Sequence, residues 1–216
     1  EIKECDWSSD VCSSDLPPMA EADRLETNAV LDGLINRNST PPRLFDGGEP
    51  PRADIDRMLD AAMSAPDHGF VRPWRFHIIE GDARDKLGGL FADALLERDP
   101  FAPTAAIEKE KGRPLRAPTI IAVCAKVDPT RAPKVPVIEQ IVAAAAAMEH
   151  LVLAAQAMGY GAIVLTGRNA HDPMVRRAFD LAGEDELLGF VYIGCISEPT
   201  PAKERPNAAD FTNVWS

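Results

Sequence analysis

The sequence predicts an α+β domain with α/β-type layers, a mixed central sheet flanked by helices. Three observations carry that expectation. Stretches with helical spacing of apolar residues alternate with short apolar runs of strand length. Two of those runs, Thr119 to Lys126 and Leu187 to Ile196, are nearly continuous, as strands covered on both faces are. Between them lies a long Ala-rich segment, Val137 to Met158, apolar almost all round and therefore read as a core helix packed on several sides.

In chain order, Val30, Leu31, Leu34 and Ile35 mark one face of a helix that ends near Asn36 and Arg37. After a proline-rich stretch, Pro51 stands where a first helical turn tolerates proline, and Ile55, Met58, Leu59 and Ala62 repeat with helical spacing up to Pro66. Phe76 to Ile79 reads as a strand. Asp82 reads as the cap of a helix with Leu87, Leu90, Phe91, Ala94 and Leu95 on one face. A Pro- and charge-rich connection leads to the strand at Thr119. Gly159 ends the Ala-rich helix, and Gly161 to Thr166 is a further strand. Asp172-Pro173 caps and starts a helix through Phe179, and the end from Pro199 to Ser216 reads as extended.

Composition narrows the function. A chain of 216 residues that is 45% hydrophobic and 26% charged has the balance of a folded protein of one domain. A formal charge of −11 with no basic cluster argues against a nucleic-acid partner. Residues 1–16 hold the near-duplicated polar blocks Asp6-Trp7-Ser8-Ser9-Asp10 and Cys12-Ser13-Ser14-Asp15 without helical or strand period; they read as a non-native leader, leaving 17–216 as a single domain. Of the cysteines beyond that leader, Cys124 and Cys195 each sit in an apolar run without metal-ligand spacing, which suits a reducing, cytoplasmic setting. The Ala-rich helix carries Glu139, Glu149 and His150, a poor composition for a membrane span, so no membrane partner is expected. No metal-spaced Cys/His group, Ser/His/Asp set or Gly-rich phosphate loop stands out. Gly88-Gly89 falls inside a helix and Gly47-Gly48 follows no strand, so neither forms a dinucleotide fingerprint.

What remains distinctive is a set of short motifs in order. Ile35-Asn36-Arg37-Asn38-Ser39 closes the first helix, Ala65-Pro66-Asp67-His68 follows the second, and Arg72-Pro73-Trp74-Arg75-Phe76 enters a strand. Further on come Gly112 to Lys126, Gly159-Tyr160-Gly161-Ala162, and Leu188 to Gly194. Together, from about Leu31 to Gly194, they resemble the nitroreductase family, in particular its compact single-domain subgroup.

That resemblance implies a homodimer with FMN at the interface, and electron transfer from NADH or NADPH, bound transiently, to a small-molecule acceptor such as a nitroaromatic or quinone. By the family pattern Arg37, supported by Asn38 and Ser39, would hold the FMN phosphate. Its fixed fork of donors suits an oxyanion; the lesser alternative is a helix C-terminal cation interacting with the macrodipole. Ser64 and His68 would reach the flavin from the second subunit; His68 also reads as a solvated loop residue or a helix-end partner. Val164, Leu165 and Thr166 would lie along the other side of the ring. Here the chain departs from the subgroup, which often reads Trp-Arg before Ser/Thr-Gly, whereas this sequence has Val164-Leu165 before Thr166-Gly167. Arg168 is a candidate for the missing cation. The flavin itself would carry the chemistry, so no catalytic side chain is assigned. The alternatives are a same-fold reductive dehalogenase or flavin-degrading enzyme, and a non-catalytic FMN-binding dimer.

Overall fold

The computed structural model describes residues 29–198 and 200–215. The chain divides into two units, Glu1–Asn36 and Arg37–Ser216. In the first, residues 29–35 form helix α1, closed by Asn36, whose backbone N–H and side-chain amide both donate to the Asp32 carbonyl, at 2.9 and 2.8 Å. The leader assigned to residues 1–16 lies outside the described residues.

The second unit is built on a four-stranded sheet. Its elements are α2 (Arg52–Ala62), β1 (Trp74–Ile79), α3 (Asp82–Arg98), α4 (Thr104–Gly112), β2 (Thr119–Ala125), α5 (Val137–Ala157), β3 (Gly161–Leu165), α6 (Gly167–Ala170), α7 (Pro173–Ala178) and β4 (Glu186–Gly194). The strand order is β1-β2-β4-β3, and each of the three pairings is antiparallel. The α+β expectation holds, but the mixed sheet does not: among the described strands none pairs in parallel. A strand buried on both faces reads as a continuous apolar run whichever way its neighbours point, so the sequence signal carried no direction.

Every residue of β2 is buried. Its side chains alternate between two clusters, as the pleat requires. Ile121, Val123 and Ala125 face α2 and α5, meeting Ile55, Met58, Ala144 and Leu151; Ile120, Ala122 and Cys124 face α3 and α7, meeting Leu87, Phe91 and Val175. Helices thus cover both faces of the sheet. Helix α5 is long and apolar enough by length and composition to cross a membrane, yet Ala143, Ala144, Ala147, Leu151, Val152 and Ala155 form a stripe buried in this core. Its other face leaves Ile138 and Val142 more than half exposed, so within one chain it is covered on fewer sides than its composition implied.

Other local expectations are refined. The connection before β2 contains a helix, α4, which its lysines and glutamates conceal. It packs on α3 where Gly88 lies: a Cβ there would stand 2.3 Å from the Lys111 carbonyl oxygen, so only glycine admits this approach. Gly81, not Asp82, caps α3, and Asp82 is a first-turn residue favourable to the helix dipole. Asp172 caps α7 as expected, accepting from the N–H groups of Met174 and Val175. β4 ends at Gly194, leaving Cys195 outside the strand and part-exposed. The C-terminal stretch is extended apart from a 3-10 turn at Ala208–Phe211.

His77 on β1 packs edge-on against Phe179, ring centroids 5.1 Å apart. Burial lowers its pKa below the ordinary 6.5, against a weaker opposing pull from Asp180. The unfolded chain therefore takes up this proton first as pH falls. The resulting stability is complete above about pH 6.5 and declines towards the lower folded pKa. The urea midpoint should drop between about pH 7.5 and about pH 5.5, and drop less in His77→Phe, which keeps a ring against Phe179. Equal declines in the two proteins would show that His77 is not held neutral.

Candidate functional site

The sheet leaves β3 as an open edge, and the segment after α1 runs beside it. Thr40 donates its N–H to the Ala162 carbonyl at 2.9 Å, while Gly161 lies so close to Thr40, Phe45 and Ile196 that a Cβ would overlap all three. This contact fixes where Arg37, Asn38 and Ser39 lie. Arg37 directs its Nε to the Glu149 carboxylate at 3.5 Å, and the Asn38 N–H donates to the Gln156 side chain at 3.2 Å, so the strip also borders the C-terminal half of α5. Asn38 donates its amide to the Pro201 carbonyl, but among the described residues its buried Oδ1 has no hydrogen-bond partner. A buried acceptor with no donor costs stability, which makes the position a place where a donor-bearing ligand is favoured.

The C-terminal tail returns to this strip. Thr200 and Thr40 share a hydroxyl hydrogen bond of 2.8 Å, and the Arg205 guanidinium donates to the Arg37 carbonyl. The Arg205 guanidinium thus meets the backbone of Arg37, whose own guanidinium faces Glu149. Sequence reasoning missed Arg205 because it took the Pro-rich end only as an extended tail; Lys203 and Arg205 in that acidic chain were the available signal.

Ser64 meets α5 at His150, next in sequence to Arg37's partner Glu149, whereas His68 meets it near its N-terminus. The Ser64 hydroxyl donates to the Ala61 carbonyl at 2.8 Å and lies 3.2 Å from His150 Nδ1. His68 Nδ1 is 2.6 Å from the Glu139 carboxylate in the first turn of α5, the helix-end partnership that its place after Pro66-Asp67 allows. Glu139 and His150 are separated by about 16 Å of helix. Ser64 and His68 thus border one helix at two levels within the chain, and both are exposed.

Val164 and Leu165 also part company. Alternation along β3 sends Val164 to the α2/α5 cluster and Leu165 to the α3/α7 cluster. Thr166, exposed, follows at the start of α6. Opposite this corner β4 carries a bulge: Val123 pairs with Gly189 and Cys124 with Leu187, so Leu188 is the extra residue. Gly189 has φ 155°, and a Cβ on it would come within 2.9 Å of Val164 and 3.2 Å of the Thr166 methyl. The glycine keeps room for the two side chains.

Leu165, Thr166 and Arg168 border a cavity of about 540 Å³ between the sheet and α3/α4. Its floor is apolar, with Phe91 and Phe190 in an edge-to-face pair 5.3 Å apart. Its wall carries Arg98, Arg113, Arg116 and Arg168, none of them distinguishable in the sequence from other surface arginines, since they come from three separate segments. Arg98 is paired with Asp172, and Arg113 with Glu110 at 2.7 Å; Glu110 also accepts from Asn169.

The pattern that defines the nitroreductase family matches residues 34–195. The chain belongs to this family. It is 36% identical over 185 residues to YdjA of Escherichia coli K12, whose name gives NAD(P)H nitroreductase as a provisional activity; the match covers 80% of this chain and 96% of YdjA. A nitroreductase-like family protein from Bacillus cereus shares its fold with a TM-score of 0.72 at 20% identity, over 86% of this chain and 95% of that one. A nitroreductase with bound FMN from Bacteroides fragilis does so with a TM-score of 0.61 at 20% identity, over 87% and 98%. Family membership makes oxidoreductase activity the supported class.

The bulge gives a test of how this corner is held. Gly189→Ala forces a methyl against Val164 and Thr166, and overpacking of this kind costs about 1–3 kcal/mol. A denaturant titration should show the loss. An unchanged midpoint would mean that the β3 end relaxes freely.

Proposed function

We propose that this chain is an FMN-dependent oxidoreductase that takes electrons from NADH or NADPH and delivers them to a small electron-poor acceptor such as a nitroaromatic or a quinone. The observation that carries the reading is the strip beside the open edge of β3. There the Arg205 guanidinium donates to the Arg37 carbonyl, next to Asn38, whose buried Oδ1 lacks a donor among the described residues. Two guanidinium groups and the Ser39 hydroxyl suit a phosphate dianion, and the unsatisfied Asn38 oxygen suits a hydroxyl or N–H of the same ligand. Thr166 would border the ring at the end of β3, with Val164 and Leu165 acting through the strand backbone. FMN, when bound, would supply the two-electron chemistry between nicotinamide and acceptor. The chain's own residues bind and orient it and keep water from the reacting face.

The dimer belongs to the same proposal. Ser64 borders α5 at His150 and His68 borders it at Glu139, and Ile138, Val142 and Met63 are exposed apolar residues. A second copy covering α5 would bury them and bring its Ser64 and His68 to the flavin of the first, giving two equal sites. Residues 17–216 would act as one functional domain behind a non-native leader. The free thiols of Cys124 and Cys195 support a reducing, cytoplasmic setting.

The purified protein should be yellow and release about one FMN per chain, as two sites in a symmetric dimer require, and excess NADH or NADPH without oxygen should bleach it. A flavin that stays oxidised under both donors would leave a non-catalytic FMN-binding dimer. Arg37→Ala should weaken FMN binding by about 1.5–3 kcal/mol, the range for a charge-assisted hydrogen bond. A titration matching the unsubstituted protein would move the phosphate away from this strip.

A further inference from the structure

In an acidic protein of formal charge −11, the arginine-walled cavity is a local reversal of sign. Two of its four guanidinium groups are already matched, Arg98 by Asp172 and Arg113 by Glu110. Arg116 lies over the Tyr192 ring, 5.6 Å from its centroid, and donates its Nε to the Arg113 carbonyl at 3.1 Å. Among the described residues, neither Arg116 nor Arg168 has a carboxylate in ion-pair contact. The cavity wall therefore retains two cations that no acid of the described chain neutralises.

The floor has a different character. Phe91, Phe190, Leu95 and Leu165 form an apolar surface beneath that wall. An apolar bed with a few convergent charged groups recognises a ligand with an apolar body and one ionised end. The volume of about 540 Å³ is within the range of small-molecule sites. A nucleotide phosphate alone would use the arginines and leave the aromatic bed unfilled. The cavity also opens on Thr166 and Gly167, the turn that the proposed function places beside the flavin.

We infer that the acceptor reduced by this protein is an aromatic compound bearing a carboxylate beside the nitro or quinone group that takes up the two electrons given by NADH or NADPH, with its ring on the Phe91/Phe190 bed and its carboxylate between Arg116 and Arg168. This rests on the proposed function for the role of acceptor, but the binding preference stands on the cavity alone. Arg116 and Arg168 act as specificity residues: they select the anionic member of a pair of otherwise similar ligands. Their pull is electrostatic and exposed to solvent, so it weakens as salt rises.

The test uses the full chain as purified, with its bound flavin quantified by the visible spectrum. Benzoate and its neutral isostere benzamide are titrated by ligand-observed NMR. Benzoate should bind about tenfold more tightly, as expected for a carboxylate gaining charge-assisted hydrogen bonds, and the preference should shrink with added salt. It should fall several-fold in Arg168→Gln and vanish in the Arg116→Gln/Arg168→Gln double variant, while Arg116→Lys, which keeps the charge, should retain part of it. Equal binding of the two ligands, no binding of either, or a preference that survives in the double variant would overturn the inference. So would displacement of benzoate by added FMN, or tighter binding of adenosine 2′-phosphate at the same place, since either would give the cavity to a nucleotide. A colourless protein that still prefers benzoate would sink the proposed function and leave the anion site standing; a yellow one that does not discriminate would do the reverse.

Discussion

The constraint from which the rest follows is the complete burial of β2. A strand with no solvent on either face must place every backbone N–H and C=O in a ladder, because an unpaired one in the interior costs more than a made bond returns. β1 and β4 supply that pairing, and helical layers must then cover both faces. With β4 in the middle, β3 is left at the edge with one unpaired side. The segment Arg37–Thr40 partly closes that side through the Thr40–Ala162 hydrogen bond, and the C-terminal tail lies over that segment in turn. The basic residues of the candidate cofactor strip are thus held in place by the need to cover an edge strand.

The helices and strands were largely legible in the sequence because their signals are local. Ile55, Met58 and Ala62 face the core with the spacing that marked them, and Asp172-Pro173 begins a helix because a carboxylate before a proline satisfies the first free N–H groups. Strand direction was not legible, since Ile120 and Ile121 are buried alike beside a parallel or an antiparallel neighbour. Helix α4 was hidden by its charge: none of its residues is fully buried, so it has no apolar stripe to find, and it is held instead by its approach to Gly88.

The candidate site was legible in part, and the divide is again between local and distant. Arg37, Asn38, Ser39 and Thr166 were proposed from short motifs, and in the structure the first three precede Thr40, which bonds the edge strand whose end carries the fourth. Arg205 is 168 residues from Arg37, and Arg98, Arg113, Arg116 and Arg168 meet only because α3, the turn before β2 and α6 converge over β4. No spacing rule connects residues of those separate segments. Their common feature, a shared cavity wall, exists only after the sheet has formed.

The departure at positions 164 and 165 takes on a physical meaning in this setting. Neighbours on a strand point to opposite faces, so Val164 belongs to the packed layer under α5, while Leu165 belongs to the cavity with the arginines. An arginine at 165 would bring a fifth guanidinium into a wall with four, two of them without an acidic partner among the described residues. At close range in a partly desolvated site, that repulsion opposes folding. Leucine there adds instead to the apolar bed beneath them. The positive charge that the family resemblance led one to expect on β3 is carried by the surrounding helices and turn, and the strand contributes the surface on which a ligand's apolar part can rest.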